Sequence, residues 1–455
     1  MHRSLWLEQA LDGPPAPALA GADRADVAIL GGGFVGLWTA LELKRRDPGC
    51  DVVVLERDVC GGGASGRNGG MVLSWWPKLA SLIKLCGVDE ALRLGHASAH
   101  AIDAIAAFCD EHGIDAQFRR GGFLWTATTP SHVGAWDGVV GLCEQHGIDA
   151  FERLSPDEVA RRAGSDRHLA GVFEARAATV QPALLARGLR RVALERGVRI
   201  FEHTPATRFT RERPLDIETP GGTVRAEKLV VAMNAWAGAL PELRRALVVV
   251  SSDIVATPPI PDRLAEIGWT GGEGITDSQM MVAYYRTTED GRIAFGKGTA
   301  GVTYGGRVGD LFDRDHARSA MTANDFRRNY PALADVPISH DWGGPIDRTP
   351  TSLPILGHLG GREHLLYGVG WSGNGVGPSY VGGKILAALA LGDRTPAGLV
   401  DRPPDPFPPE PVRFLGAHLV REAVIRKERS ELAGREPRKL AVRMAALAPA
   451  GLEDK

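Results

Sequence analysis

The sequence predicts an α/β protein of two interleaved domains followed by a helical tail. Three observations support this prediction: a strand, a helix and a strand alternate after residue 26, glycine-rich loops recur near residues 31, 61 and 370, and aromatic and β-branched runs occur within 241–335. A chain of 455 residues exceeds one ordinary hydrophobic core. More than one domain is therefore expected.

The first unit has a buried strand at 27–30, a helix at 34–46 and a second strand at 52–55. Between the first strand and the helix, residues 31–36 fit the pattern G-x-G-x-x-G. That spacing also arises by chance in a chain with 57 glycines. Here, however, it lies between a buried strand and an amphipathic helix, and the next strand ends in an acidic residue, Glu56. This context predicts a Rossmann-like dinucleotide site.

Each residue of this motif has a physical role. Gly31 allows the tight turn, Gly33 lets the backbone approach a pyrophosphate at the positive end of the helix, and Gly36 lets helix and strand pack closely. Glu56 can accept hydrogen bonds from the adenosine ribose hydroxyls. The predicted cofactor contacts of this unit are Gly31, Gly33, Phe34, Val35, Gly36, Glu56 and Arg57.

A second glycine-rich segment, 61–70, follows the acidic residue directly. It would supply a second set of backbone N–H donors beside the pyrophosphate, which simple NAD-binding folds rarely need. The segment therefore favours FAD over NAD. Its predicted cofactor contacts are Ala64, Ser65, Arg67, Asn68, Gly69 and Gly70.

These motifs resemble those of the D-amino-acid oxidase and glycine oxidase superfamily of flavoproteins, over about residues 24–395. The resemblance rests on the acid followed by 64–70, on 230–236 and on 368–377. Segments 342–347 and 284–286 are most similar to the γ-glutamylputrescine oxidoreductase branch and the neighbouring aminophosphonate oxidoreductases. The resemblance implies an extended FAD with its flavin ring at the domain interface, and further cofactor contacts at Ala206, Asn234, Trp236, Gly370, Gly373, Asn374, Gly375 and Val376.

The distal loop at 373–377 precedes a predicted helix at about 379–391. N–H groups at a helix N-terminus would stabilise negative charge on the reduced flavin near N1 and O2. Covalent flavin in relatives often uses a histidine or cysteine near the ring, and the glycine loop contains no histidine. We therefore predict non-covalent FAD.

The resemblance implies oxidation of the C–N bond of a primary or secondary amine, similar to γ-glutamylputrescine or an aminophosphonate, to an imine that hydrolyses to an aldehyde or keto product. Amino acid oxidases often hold the substrate carboxylate with an arginine of the distal loop, and this loop has none. An amine without an adjacent carboxylate is favoured, or one bound by other cations. The substrate-binding candidates are Arg286, Tyr304 and Arg348, and the catalytic candidates are Trp371, Tyr285 and Lys297.

Three other interpretations stay open at this point. The first is a D-amino acid or glycine-like oxidase or dehydrogenase. The second is an NAD-linked dehydrogenase, which would leave the second and third glycine loops without a role. The third is a flavin-binding protein without turnover.

The predicted FAD-binding domain comprises 24–110, 165–238 and 340–400, and the mostly antiparallel substrate domain comprises 111–164 and 239–339. A proline-rich linker and a helical tail follow at 401–455. The tail is predicted to dock through its apolar face and to show its basic residues to solvent. The apolar residues are Val412, Leu415, Leu419 and Ala423, and the basic ones are Arg421, Arg426, Lys427 and Arg429.

Composition excludes several classes of protein. A net charge of −2 gives no excess of positive charge with which to bind nucleic acid. No apolar stretch approaches the ~20 residues that a membrane-spanning helix needs. The five cysteines include no Cys-x-x-Cys pair, so we expect a reducing cytoplasm rather than a disulfide framework. A Cys–His pattern at 109–116 recurs at 143–150, but two similar helix ends explain it better than a metal site does. The expected partners are a small-molecule amine and O2 or another electron acceptor.

Overall fold

The computed structural model describes residues 2–11, 13–393, 398–402 and 405–449. Residues 394–397, 403–404 and 450–455, which belong to the predicted FAD-binding domain, linker and tail, lie outside the described residues. The α-helices of the described part are α1 Leu5–Ala10, α2 Phe34–Arg46, α3 Leu79–Cys86, α4 Val88–Glu111, α5 Asp137–Gln145, α6 Pro156–Ala163, α7 Pro182–Glu195, α8 Pro261–Glu266, α9 His316–Asn329, α10 Pro378–Leu391, α11 Val412–Leu432 and α12 Lys439–Ala445.

The strands of the described part form two large sheets and one short pair. They are β1 Gly21–Leu30, β2 Val52–Leu55, β3 Met71–Val72, β4 Phe123–Ala127, β5 Glu152–Leu154, β6 Ala170–Glu174, β7 Ala178–Thr179, β8 Arg199–Phe201, β9 Arg208–Phe209, β10 Leu215–Thr219, β11 Gly222–Val231, β12 Val248–Ala256, β13 Gly274–Asp277, β14 Ala283–Thr287, β15 Ile293–Lys297, β16 His340–Arg348, β17 Ile355–His358 and β18 Leu365–Val369.

The first sheet is the Rossmann-like layer, with strand order β17-β18-β11-β1-β2-β8 and the β9–β10 hairpin attached to β11. β1 pairs in parallel with both β2 and β11. Its residues alternate between two cores: Val27 and Ile29 pack with helices α2, α7 and α10, whereas Ala28 and Leu30 pack on the hairpin side. The predicted strand, helix and strand at 27–55 are confirmed.

The second sheet has the order β16-β12-β15-β14-β13-β4-β6-β5 and is antiparallel except for the pair β13–β4. Helix α9 covers one of its faces, where Phe326 and Tyr330 pack against Tyr285 and Phe295 of the sheet. The other face packs against α1 and α7 through Ile254, Ala256 and Ala294. The predicted mostly antiparallel layer is therefore present.

The ranges of the two domains remain a prediction, but strand pairing moves two of their boundaries. β6 pairs with β4 and β5, and β16 pairs with β12. Both strands therefore belong to the second sheet, although the sequence placed 165–238 and 340–400 in the FAD-binding domain. Long-range hydrogen bonding decides this membership, and the local pattern of a strand does not reveal it.

The docking face predicted for the tail is wrong for three of its four residues. Val412, Leu415 and Leu419 are 59%, 57% and 60% exposed, whereas Ala423 is buried as predicted. The helix docks through Val424 beside Ala423, and Val424 packs with Met281 and with α12. Helix α11 therefore docks through the stripe that contains Val424, and not through Val412, Leu415 and Leu419.

The repeated Cys–His pattern marks two helix ends. His112 and His146 cap α4 and α5, and the glycines after them, Gly113 and Gly147, adopt positive φ. No group of three or more His, Cys, Asp or Glu side chains in the described ranges is arranged to hold a metal ion. None of the described helices is long and apolar enough to cross a bilayer.

Candidate cofactor and substrate site

One cavity of about 1730 Å³ runs between the two sheets. It begins at the carboxyl ends of β1, β2 and β11, crosses β12, β13, β14 and β16, and ends beneath α11 and α12. Ligand sites in open α/β sheets lie at such strand ends. The volume exceeds the roughly 300–1,000 Å³ of an ordinary small-molecule site, so the cavity can hold a large cofactor together with a substrate.

The turn after β1 leaves backbone, and little side chain, at the cavity wall. Gly31 has φ +111°, and a Cβ on it would lie 2.5 Å from the carbonyl oxygen of Ala232. A Cβ on Gly36, behind the wall, would lie 2.0 Å from the carbonyl oxygen of Gly31. Gly33 caps α2 at the wall, where Phe34 and Val35 follow it. The positive end of α2 therefore faces the cavity through main-chain atoms.

Glu56 directly follows β2 and lines the cavity beside Arg57, whose guanidinium lies 5.1 Å from the ring centre of Trp236. The Glu56 carboxylate accepts hydrogen bonds from the backbone N–H groups of Gly32 (2.7 Å) and Asp58 (2.9 Å). Burial raises the pKa of Glu56 to about 7. Because a carboxylate has about four acceptor sites, two bonds leave capacity for ribose hydroxyls. The ribose contact stays a prediction.

The second glycine loop is fixed by its own side chains. The Ser65 hydroxyl accepts a hydrogen bond from Phe34 N at 2.9 Å, which joins this loop to the start of α2. Asn68 donates to the carbonyl oxygens of Ala64 and Ser65, each at 3.0 Å. Of the predicted contacts, Ala64, Ser65, Arg67, Asn68 and Gly69 line the cavity, whereas Gly70 lies behind it.

The N-terminal segment holds the same loop from outside, which the sequence did not reveal. Trp6 is 1% exposed and donates from Nε1 to the carbonyl oxygen of Asn68 at 2.9 Å. The Ser4 hydroxyl donates to the carbonyl oxygen of Gly66 at 2.6 Å. The apolar run at 5–7 is visible in the sequence, but its partners lie about 60 residues away. The segment therefore acts as a strap across the cofactor loop.

Trp6→Phe is expected to lower FAD affinity about fivefold, since it removes one hydrogen bond, worth about 1 kcal/mol, from the loop but keeps an aromatic ring. Titration of apoprotein with FAD, followed by quenching of flavin fluorescence, measures this change. Trp269→Phe is the matched control, because the Trp269 indole N–H has no hydrogen-bond partner among the described residues. Equal FAD affinity in both variants would contradict the strap.

Asp347, at the end of β16, organises the distal loop. Its carboxylate accepts hydrogen bonds from Gly370 N (2.5 Å), Trp371 N (3.1 Å) and the Asn234 amide nitrogen (2.9 Å). Burial raises its pKa to about 7. One side chain thus connects three chain segments around the cavity. The sequence motif 342–347 contained Asp347 but gave no indication of this role.

The buried polar atoms without a hydrogen-bond partner among the described residues include Trp236 Nε1, Trp371 Nε1 and Asn374 Oδ1, all on residues of the cavity wall. Buried polar groups normally have a partner, so these atoms fit a polar ligand in the cavity. Together with the glycine cradle, they fit an extended dinucleotide. Ala206, Asn234, Gly373, Gly375 and Val376 also line the wall, and Gly370 lies behind it.

Two of the three catalytic candidates, Tyr285 and Lys297, lie on the face of the second sheet that packs against α9, and they do not line the cavity. Tyr285 is 1% exposed, stacks on Phe295 at 4.6 Å between ring centres and bonds to His168. Lys297 pairs with Asp325 at 2.6 Å. Because side chains alternate along a strand, the register that places Tyr285 opposite Phe295 also directs Lys297 into the core beneath α9. Trp371, the third candidate, does line the cavity.

The neighbouring residue, Tyr284, is the tyrosine that faces the cavity. Its hydroxyl lies 2.7 Å from the Ser252 hydroxyl, and both residues line the wall. Its ring covers Gly296, where a Cβ would lie 2.2 Å from the ring. Burial raises the pKa of Tyr284, so its hydroxyl stays protonated and can donate.

Of the three substrate-binding candidates, one lies on the cavity wall. Arg286 donates to the carbonyl oxygens of Gly69 (2.8 Å) and Val180 (2.5 Å) behind the glycine loop, and burial lowers its pKa to about 9. Tyr304 is 55% exposed and does not line the wall. Arg348 lines the wall, and burial lowers its pKa to about 10, so it remains charged at neutral pH.

A parallel-sheet nucleotide turn, a second glycine loop and unpartnered polar atoms on one cavity define a dinucleotide-dependent oxidoreductase. Residues 26–389 match the DAO family, described as FAD dependent oxidoreductase. The chain belongs to this family, and its cofactor is FAD. The NAD-linked interpretation is therefore wrong.

The relatives agree with this assignment. The chain is 30% identical to the probable oxidoreductase OrdL of Rhizobium meliloti over 91% of this chain and 94% of that protein. It is 29% identical to the γ-glutamylputrescine oxidoreductase of Escherichia coli over 83% of this chain and 86% of that protein. Glycine oxidase from Geobacillus kaustophilus has the same fold, with a TM-score of 0.69 and 23% identity over 84% of this chain and 99% of that one.

Proposed function

We propose that this FAD-dependent oxidoreductase oxidises a C–N bond of a primary or secondary amine, similar to γ-glutamylputrescine or an aminophosphonate. The observation that carries the proposal is the cavity, which continues past the distal loop to Tyr284, Arg348 and the tail. An elongated amine fits this extension. The similarity to the γ-glutamylputrescine oxidoreductase of Escherichia coli supports the same substrate class.

When bound, FAD supplies a two-electron acceptor that takes hydride from the carbon next to a neutral amine nitrogen. The resulting iminium ion, which is the protonated imine, is hydrolysed by water to an aldehyde or keto product and a released ammonium ion or protonated amine. We propose that the protein orients the carbon and excludes water, and the position of Trp371 and Tyr284 on the cavity wall supports this role for them. The step needs no acid–base residue if the amine arrives neutral.

One observation favours an amino acid as the second candidate substrate. Arg348 follows Asp347, which bonds to the distal loop, and Arg348 lines the same cavity. A guanidinium binds carboxylates through two parallel N–H groups. An α-amino acid would place its carboxylate there.

We propose that FAD is bound without a covalent link, that reduced flavin passes its electrons to O2 or another acceptor, and that the enzyme works in the cytoplasm without a nucleic-acid partner. Of the described residues that line the cavity, none is a cysteine and His132 is the only histidine, which supports dissociable flavin. The five cysteines are unpaired in the structure, which agrees with a reducing compartment.

Anaerobic titration of the purified protein with amines is expected to bleach the oxidised flavin. The panel contains primary and secondary amines, aminophosphonates, glycine and D-amino acids, and visible absorption is the readout. An amine whose carbon next to nitrogen carries no hydrogen, such as tert-butylamine, is the control and must not bleach. If the flavin absorption returns in air, O2 is an electron acceptor. Bleaching by glycine or D-amino acids alone would contradict the proposed amine substrate and support the amino acid alternative.

A further inference from the structure

The C-terminal tail forms the distal wall of the cavity. This part of the chain lies beyond the family match, which ends at residue 389. One stripe of α11, repeating every three or four residues, faces the cavity, and α12 closes the end beside it. The stripe consists of Val412, Arg413, Gly416, Ala417, Val420, Arg421, Val424 and Lys427.

The charged residues of α11 that face the cavity are basic, and its acidic residues lie on other faces of the helix. Three basic residues of α11 line the cavity, and Glu422, Glu428 and Glu431 do not. Glu428 turns towards the second sheet, where its carboxylate accepts a hydrogen bond from Met281 N at 2.7 Å. The carboxylate of Asp277 lines the cavity from β13, and its acceptor sites already receive the N–H groups of Gln279 and Ala283. The tail therefore contributes positive charge to the wall.

Arg421 is the tail cation best placed to meet a ligand. Its Nε donates to the carbonyl oxygen of Thr299 at 2.9 Å, which fixes the side chain at the wall. A guanidinium has five N–H donors, so this bond leaves its terminal nitrogens, one of them 3.5 Å from Glu422, able to bind. The other two cations are engaged more fully: Arg413 with Glu410 and two carbonyl oxygens, and Lys427 with Glu431 at 2.7 Å.

A second polar side chain, that of His132, also lies at this end of the cavity. His132 lies on the cavity wall, and its Nε2 is 3.4 Å from the Glu431 carboxylate. Its Nδ1 is buried without a hydrogen-bond partner among the described residues. A buried imidazole nitrogen on a ligand cavity normally finds a partner. The far end of the cavity is therefore polar as well as cationic.

We infer that the tail selects substrates that carry an anionic group, a carboxylate or phosphonate, at the end remote from the oxidised amine, and that Arg421 binds this group. The inference rests on the proposed function, because it takes the amine at the other end of the substrate to be the group that is oxidised. It makes the tail, which lies beyond the residues that match the family model, a specificity-determining element.

The first test compares Arg421→Gln with Arg426→Gln, which changes an exposed arginine of the same helix. Substrates are an unbranched alkylamine and the ω-amino carboxylate and ω-amino phosphonate of the same chain length. In Arg421→Gln, the ratio of kcat/KM for the anionic amine to that for the neutral amine should fall about tenfold or more, mainly through KM. Arg426→Gln should leave the ratio unchanged. An equal loss for both kinds of amine in Arg421→Gln would overturn the inference.

The second test does not require turnover. Holoenzyme is titrated with an unreactive alkyl carboxylate, an alkyl phosphonate and an alkanol of the same length, and perturbation of the flavin spectrum reports binding. Arg421→Gln should weaken binding of the two anions about tenfold and leave the alkanol less affected. Unchanged anion binding would refute the role of Arg421 even if amines are oxidised. Weakened anion binding in an enzyme that no amine reduces would retain the anion site and reject the amine proposal.

Discussion

Gly33→Val is expected to give a folded protein that purifies without flavin. Gly33 lies on the cavity wall at the start of α2, and its φ of −87° is accessible to any residue. A Cβ there would lie 2.9 Å from the Ser65 hydroxyl, which must rotate away from Phe34 N, but it would meet no backbone atom within 4 Å. The branched side chain therefore fits the fold but occupies the space between the two glycine loops, where the pyrophosphate must approach the backbone.

The expected loss of FAD affinity is at least about a hundredfold, equivalent to about 3 kcal/mol. The flavin-to-protein absorbance ratio and titration of apoprotein measure it, and circular dichroism checks folding. Gly138→Ala on α5 is the control, because a Cβ there meets no atom within 4 Å. Gly36→Val should instead disrupt folding, since its Cβ would lie 2.0 Å from a backbone oxygen. Stoichiometric flavin in Gly33→Val would show that the cofactor lies elsewhere.

The cofactor half of the site was predictable because its signal is local. The strand, glycine turn, helix and acid occur within about 30 residues, and Gly36 is required by a contact inside that unit, because a Cβ on it would lie 2.0 Å from the carbonyl oxygen of Gly31. The structure places Gly31, Gly33 and Glu56 on one wall, as the spacing indicated. FAD rather than NAD also followed from local sequence, namely the second glycine loop directly after Glu56.

The substrate half was less predictable because the second sheet is buried on both faces. Tyr284 and Tyr285 are adjacent and both apolar enough for either face, so no alternation of polarity identifies the one that faces the cavity. A shift of one residue exchanges the faces. Lys297 is a similar case: its partner Asp325 comes from α9, 28 residues further along the chain. Only the three-dimensional pairing places that lysine in the core.

The tail was misjudged for a related reason. Helix α11 has two overlapping apolar stripes, one through Val412, Leu415 and Leu419 and another through Val420 and Val424. Helical periodicity alone does not choose between them. The choice is made by Met281 and α12, which pack with Val424.

Asp347→Asn is expected to loosen the distal loop and weaken FAD binding by about tenfold to a hundredfold. The carboxylate accepts three N–H donors, from Gly370, Trp371 and Asn234. An amide can accept at one oxygen only, so at least one buried N–H group loses its partner, at about 1–3 kcal/mol each. Apoprotein titration with FAD and thermal unfolding measure the two effects. Asp341→Asn, on the same strand but in a partly exposed pair with Arg314, should change both by far less.

The same variant has a pH signature that distinguishes Asp347 from a neutral structural residue. Its pKa is about 7 in the folded chain, against an ordinary value of 3.8, so between these values the folded state binds more protons than the unfolded state. Stability contributed by this group is therefore present at acidic pH and declines as pH rises from about 4 to 7, by at most about 1.4 kcal/mol per pH unit. Asparagine does not titrate, so the stability difference between wild type and Asp347→Asn should be larger at pH 5 than at pH 8. A difference independent of pH, with FAD affinity equal to that of Asp341→Asn, would show that this carboxylate does not organise the distal loop.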